Sequence, residues 1–291
     1  MFPDELISAL HQRPISTVPI QAGFITPFRV VQLAETQILL HLIDINTYVR
    51  FRHQHDSHFF FQQFSETLAT AGRQVIHLWE DVWRQKPAIV LSRLNALVGL
   101  SERIPARLTQ IRRVDRPTAT QFLEDNHLQV VTLSKYRYGL YLPQRYFRVL
   151  SPEFRPQLPV GETELLVALA TFSLPRRIER EEKQYRSVEL VRFANRLGCT
   201  VVGGLDKLLK GFITEHQPDD IMTYADRDWS DGRSYGKLGF TRIELTEPQQ
   251  FWLHPEEMLR YYPHRLPTEV SADQLLPVYN AGSIKFVKLL I

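Results

Sequence analysis

The first third of the chain alternates short apolar runs with longer periodic ones. FRVVQLAE (28–35) and ILLHLIDINTYVRF (38–51) are rich in branched residues and alternate in places, which predicts two strands. Phe60, Phe61, Phe64 and Leu68 then recur at helical spacing, and Gly72 is placed to stop that helix. A strand is expected at Gln74–Trp79. Pro87 opens a second helix, with Val90, Leu91, Leu94, Leu97 and Val98 on one face and Gly99 at its close. Two strands, a helix, a strand and a helix make an α/β unit too small for a full doubly wound domain.

Further on, PTATQFLEDNHLQ (117–129) reads as a helix, and strands are expected at Tyr138–Leu142, Leu165–Phe172 and Ser187–Ala194. Leu205, Leu208, Leu209, Phe212 and Ile213 mark one face of an amphipathic helix. Pro218 ends its exit loop, and DIMTYAD (220–226) is the next strand. GRSYGKLGF (232–240) predicts a short helix with a glycine stop. A strand pair near Ile243 and Phe251–Leu253 follows, and a last strand at Ile284–Leu290.

Length and charge refine this picture. At 291 residues the chain is about twice a typical domain, so two domains are expected. The single cysteine, Cys199, excludes a disulfide framework and a cysteine-rich zinc module. A net charge of +3 names no partner. The longest strongly apolar run, around Leu165–Phe172, is too short to span a bilayer, and the N-terminus has no apolar secretory core, so a soluble, cytoplasmic protein with no membrane partner is expected. Lys86 is the only lysine in residues 1–112. ERIPARLTQIRRVDRPTA (102–119), with five arginines and two prolines, suits an interdomain connection or the first strand of a new domain. Its arginines are either a solvated surface or a phosphate-binding one.

The stretch from Val188 to Phe240 carries the most chemistry. A strand runs into a loop with Gly198, Gly203 and Gly204, and the amphipathic helix starts at once. Glycines there let the backbone approach a ligand, and a helix start favours phosphate. No Lys-Ser or Lys-Thr pair follows, which argues against a nucleotide P-loop, and the GxGxxG dinucleotide fingerprint is absent.

Ending in Tyr235-Gly236-Lys237-Leu238-Gly239-Phe240, this segment resembles the central motif of the GNAT acyltransferase superfamily. The resemblance implies that the backbone of Val202, Gly203, Gly204 and Leu205 holds the pyrophosphate of acetyl-CoA or another acyl-CoA. It also implies that Tyr235 protonates the departing thiolate. The family's loop usually carries an Arg or Gln before two spaced glycines, where this one reads Cys-Thr-Val-Val-Gly-Gly. From Arg113 to the C-terminus, including Asn126-His127 and YNAGSIKFVKL (279–289), the chain resembles phage-borne proteins in which a GNAT-like domain follows a nuclease domain. It is also similar to the GNAT-like enzymes by which some phages modify bases of their own DNA. A mobile-element lineage, and DNA or a nucleic-acid-associated amine as target, follow from these likenesses.

Two readings stay open for Asp226-Arg227-Asp228-Trp229-Ser230-Asp231. At a strand end, its carboxylates could orient an amine and take its proton, with Asp228 and Trp229 binding substrate and Asp226 catalytic. Alternatively, Asp228, Ser230 and Asp231 cap and turn the next helix while Trp229 packs. Glu189 (a further catalytic candidate) and Arg192 (substrate-binding) lie on the preceding strand and could face the same cleft. Cys199 reads as a small loop residue.

GRQVIHLWEDVWRQKPAIVLSRLNALVG (72–99) resembles the closing strand and helix of PD-(D/E)xK nucleases related to very-short-patch repair endonucleases. Those bind Mg²⁺ through two carboxylates and use a lysine to activate water. Candidates here are Glu35 and Asp44, with Glu80 in reserve. Asn46 stands at the lysine position, so the resemblance implies a degenerate domain that has lost cleavage. His53, His55 and His58, helped by Asp56, could ligate a transition metal or simply be exposed.

The expected fold class is α/β in two domains: a small nuclease-like unit, 1–112, then a GNAT-like mixed sheet flanked by helices, 113–291. A non-catalytic DNA-binding protein and a Mg²⁺-dependent endonuclease are the alternatives in function.

Overall fold

The computed structural model describes residues 2–13, 15–19, 26–33, 35–132, 134–155, 161, 163–180 and 182–290. Helix α1 (Phe2–His11) buries Phe2, Leu6 and Leu10 on one face. Strands β1 (Thr17–Pro19), β2 (Arg29–Leu33) and β3 (Ile38–Ile43) lead into α2 (Ile45–Arg52). The run 38–51, expected to be one strand, therefore breaks at Asp44. Its carboxylate accepts the Thr47 N–H at 2.8 Å, and this N-cap outweighs the strand-like composition that follows. Next come α3 (Phe60–Thr70), β4 (Gln74–Trp79), α4 (Glu80–Gln85) and α5 (Pro87–Leu97).

The chain continues through β5 (Glu102–Pro105), β6 (Gln110–Arg113), α6 (Arg116–Asn126), β7 (Tyr136–Pro143), β8 (Glu164–Phe172), β9 (Arg176–Arg180) and β10 (Lys183–Asn195). After β11 (Cys199–Val202) come α7 (Gly204–His216), β12 (Asp220–Asp226), α8 (Arg233–Lys237), β13 (Thr241–Leu245) and β14 (Gln250–His254). Strands β15 (Leu259–Tyr261), β16 (Leu276–Tyr279) and β17 (Ser283–Leu289) complete the fold.

The architecture is mixed α/β with several sheets. One has the order β1-β2-β3-β4, antiparallel except for the parallel β3–β4 pair. Another runs β13-β17-β12-β10-β8-β7-β6, with β9 added to β10. Strands β5 and β11 form a two-stranded ribbon, and β14 lies between β15 and β16. The strands near Ile243 and Phe251–Leu253, expected to pair, thus belong to different sheets.

Two compact units result, and they are cut differently from the expected 1–112 and 113–291. The first holds 1–87, 224–236 and 242–285; the second holds 88–223, 237–241 and 286–291. The first unit reclaims late residues because its core needs them. Phe251, Leu253, Leu276 and Val278 pack in one buried cluster with Phe28, Ile43, Tyr48, Phe61 and Trp79. In the second unit, Val114, Ala119, Phe122 and Leu123 close with Leu169 and Ala194 over the sheet.

Candidate functional site

In the second unit, β11 pairs in parallel with β5, from Cys199↔Glu102 to Val202↔Pro105. The chain then turns through Gly203, at φ 76, a left-handed conformation that favours a residue without Cβ. At Gly204 an added Cβ would lie 2.9 Å from the Val201 Cβ, so the strand–helix junction closes tightly only on glycine. Helix α7 starts there with no side-chain cap from Gly203, leaving opening N–H groups for another partner.

An open cleft of about 670 Å³ surrounds this helix start, lined by Arg103, Arg107, Gly203, Asp206, Lys207 and Lys210 among others. Lys207 Nζ donates to the Ala106 carbonyl at 2.9 Å and to that of Thr109, which anchors the β5–β6 connection on α7. Burial lowers the Lys207 pKa. Lys210 pairs with Asp206 at 2.7 Å one turn away. Arg103 and Arg107 are exposed, with no ion-pair partner among the described residues. Four cations and one carboxylate therefore meet at the positive end of a helix dipole, an arrangement suited to an anion of several charges. The expected binders Val202, Gly203, Gly204 and Leu205 are all at this turn. Lys207 and Lys210 escaped the sequence reading, although their place on the first turns of α7 was a usable signal.

Strand β10 pairs with β12 only over Ser187–Glu189 and Asp220–Met222, although β10 runs on to Asn195. Beyond Glu189 it pairs with β8, and a bulge interrupts the register between Leu190 and Arg192. A bulge shifts the side-chain alternation by one, which explains how Glu189 and Arg192, three residues apart, interact electrostatically. Burial raises the Glu189 pKa, opposed by Arg192 and Arg176. The Arg192 guanidinium donates to the Val191 carbonyl at 2.8 Å and to Thr132 Oγ1 at 3.2 Å.

The loop after β12 belongs to the first unit. Asp228 is buried; its carboxylate accepts the Ala281 N–H at 2.8 Å, its carbonyl accepts the His77 N–H at 2.8 Å, and its own N–H donates to Asp226 Oδ1 at 3.0 Å. Burial and the neighbouring Asp226 push its pKa well up. Trp229 is buried too, so the turning and packing alternative accounts for both residues. Tyr235 is half-buried in the short helix α8.

Glu35 and Asp44 are not brought together as a metal pair. Glu35 sits in the turn before β3 and Asp44 just after it, separated by a six-residue strand roughly 20 Å long at about 3.3 Å per residue. Asp44 caps α2, and Glu80 accepts the Ile45 N–H at 3.1 Å beside it. The helix that begins at Asp44 removes the continuous strand on which an acid-x-Lys triplet would sit. His55 stacks on Phe51 and His58 lies against Tyr279. Among the described residues, no three His, Cys, Asp or Glu side chains gather closely enough to hold a metal ion. Cys199 lies in β11, not in a loop, and burial pushes its thiol up to about 12. Among the described residues no helix is long and apolar enough to cross a membrane.

No family model matches the chain, and no curated protein matches it. Among solved structures it is similar to the NatC complex bound to Gag peptide and CoA, at 10% identity and a TM-score of 0.34 over 63% of this chain and 99% of that one. It is similar to a Bacillus subtilis acetyltransferase in complex with CoA, at 11% identity and a TM-score of 0.31 over 63% and 99%. The ribosomal-protein-S18-alanine N-acetyltransferase from Escherichia coli is a third, at 12% identity and a TM-score of 0.34 over 62% and 93%.

Proposed function

We propose that the second unit binds the phosphates of an acyl-CoA at the start of α7 and transfers the acyl group to an amine, as GNAT acyltransferases do. The observation that carries this reading is the cationic cleft around an uncapped helix start, with two exposed arginines and a left-handed glycine turn. In this reading the N–H groups of Gly204 and Leu205 and the side chains of Arg103, Arg107 and Lys210 meet the phosphate oxygens.

Transfer proceeds by attack of the amine nitrogen on the thioester carbonyl carbon, forming a C–N bond as the C–S bond breaks. The sulfur leaves with the bonding pair and takes a proton from the solvent of the open cleft, since Tyr235, the donor implied by the family resemblance, lies in the first unit. The attacking nitrogen loses a proton, for which we assign Glu189, whose raised pKa makes it a better acceptor than an ordinary carboxylate.

Calorimetry of the full chain with acetyl-CoA tests the reading. Binding on the order of 10–100 μM is expected, weakened about tenfold by Arg103→Gln with Arg107→Gln. No binding at about 1 mM acetyl-CoA overturns it. Of the arginines between 103 and 116, Arg112 and Arg113 pair with Glu164 and Glu215, which weakens the case for a duplex DNA surface. Steeply salt-dependent DNA affinity together with no acetyl-CoA binding would put the DNA reading in its place.

A further inference from the structure

The first unit has a cleft of its own, about 240 Å³, between α3, the start of β4 and the loop after β12. Ser65, Arg73, Gln74, Arg227, Asp231 and Arg233 contribute to its walls. Arg227 is nine-tenths buried; its Nη1 lies 3.5 Å from Glu66 Oε1 and makes no hydrogen bond. A guanidinium withdrawn from water in this way is costly unless further acceptors reach it. Each of the other two arginines is held by an amide oxygen: Arg73 Nη1 donates to Gln32 at 3.0 Å and Arg233 Nη2 to Gln74 at 3.0 Å. Asp231 pairs with Arg233, and the carboxylates that act on Arg227 are half-exposed Glu66 and buried Asp228, its neighbour in sequence.

The cleft wall also ends a buried hydrogen-bond chain. Ser65 Oγ is 2.7 Å from His77 Nε2, His77 Nδ1 is 2.9 Å from His41 Nδ1, and His41 Nε2 is 2.8 Å from Thr26 Oγ1. Both rings are fully buried, and burial pushes the His77 pKa down to about 3, so the chain is neutral. Each neutral ring donates once and accepts once, which leaves two arrangements. In one, Ser65 gives its hydrogen to His77. In the other, His77 donates to Ser65 and the hydroxyl hydrogen is free for the cleft. Ser65 can therefore act as donor or acceptor without a charge entering the core.

We propose that this cleft binds a phosphate group, free or as a monoester, with Arg227 and Arg73 on its oxygens and the Ser65 hydroxyl donating to another. Donors on separate elements converge, which suits a tetrahedral oxyanion better than a planar carboxylate with two oxygens. The volume fits a small ligand and excludes a drug-sized one, for which pockets run from about 300 Å³. This site is independent of the acyl-CoA reading, and it uses the loop after β12 in a way that the sequence pattern did not suggest.

The test titrates the full chain, with arginine labelled by nitrogen-15, using inorganic phosphate in one arm and phenyl phosphate in the other, at constant ionic strength. The Nε–Hε resonances of Arg73 and Arg227, assigned by substitution, are expected to move saturably with a Kd on the order of 1 mM. Arg73→Gln should weaken binding about tenfold, and Ser65→Ala about threefold, with both variants folded by thermal melting. Tighter binding of phenyl phosphate identifies a monoester ligand; equal or weaker binding identifies the free ion. Should Arg227→Gln fail to fold, Arg73→Gln and Arg233→Gln, which are less buried, carry the test. Unmoved Arg73 and Arg227 at about 50 mM phosphate overturn the proposal, as does a shift left unchanged by Arg73→Gln. Movement confined to Arg103 and Arg107 also overturns it, by placing the ion in the other cleft.

Discussion

At the start of α7 the donors are backbone N–H groups and two arginines that stand in water, whereas the cleft beside Arg227 is walled by a buried guanidinium and a serine wired to two buried histidines. The first arrangement costs the fold little, because solvent supports Arg103 and Arg107 while Lys207 and Lys210 already have partners. The second is part of the core that surrounds it. Changes beside Arg227 should therefore disturb stability as well as binding, while changes around Arg103 and Arg107 should disturb binding alone.

Acidification gives the largest test of that contrast. The folded His77 pKa is about 3 against an ordinary 6.5, so below pH 6.5 the unfolded ring takes up a proton that the folded ring refuses. Stability is then lost as pH falls from 6.5 toward 3, by about 2 kcal/mol between pH 6.5 and 5 for one such ring. His41, shifted the same way, adds to this loss. Urea midpoints at the two pH values measure it, and a flat profile would break the contrast. Next in size is Ser65→Ala, which leaves His77 Nε2 without its partner and should cost about 1–3 kcal/mol in chemical denaturation.

Gly204→Ala probes the other cleft through its backbone. The new Cβ meets Val201 at 2.9 Å, and an overpacked junction costs about 1–2 kcal/mol while acetyl-CoA affinity falls about tenfold. Smallest in stability is Arg107→Gln, expected to leave unfolding within about 0.5 kcal/mol of wild type while acetyl-CoA binding weakens severalfold. A loss of several kcal/mol there would mean that the exposed arginine has a structural role after all.

Local patterns made parts of this molecule readable in advance. The stripe on α7, the strands at 74–79 and 220–226 and the glycine turn before α7 each lie within a few neighbouring residues. Helix α2 was hidden because one capping carboxylate, Asp44, overrides a strand-like composition. The short ribbon strands β5 and β11 carry little pattern of their own and exist through pairing with each other. The cleft beside Arg227 was unreadable for a related reason: Arg73 and Arg227 come from distant segments. Yet a trace of it was present. His41 and His77 each sit in the middle of an apolar strand, ILLHLI and QVIHLW, and β3–β4 register sets them side by side. Two histidines inside buried strands, read together, would have pointed to a shared polar chain.

The β5–β11 ribbon has a consequence for how the cleft at the start of α7 comes into being. Its first pair joins Glu102 to Cys199, 97 residues apart by subtraction. Parallel pairing over such a separation gives no early return for the loop entropy it closes. On a ribosome adding about 5–20 residues per second, Arg103 waits on the order of 5–20 s before Gly203 exists to complete the cleft. Ligand capacity at that site should therefore emerge late in synthesis, and chains halted before α7 should keep the arginines but bind nothing there.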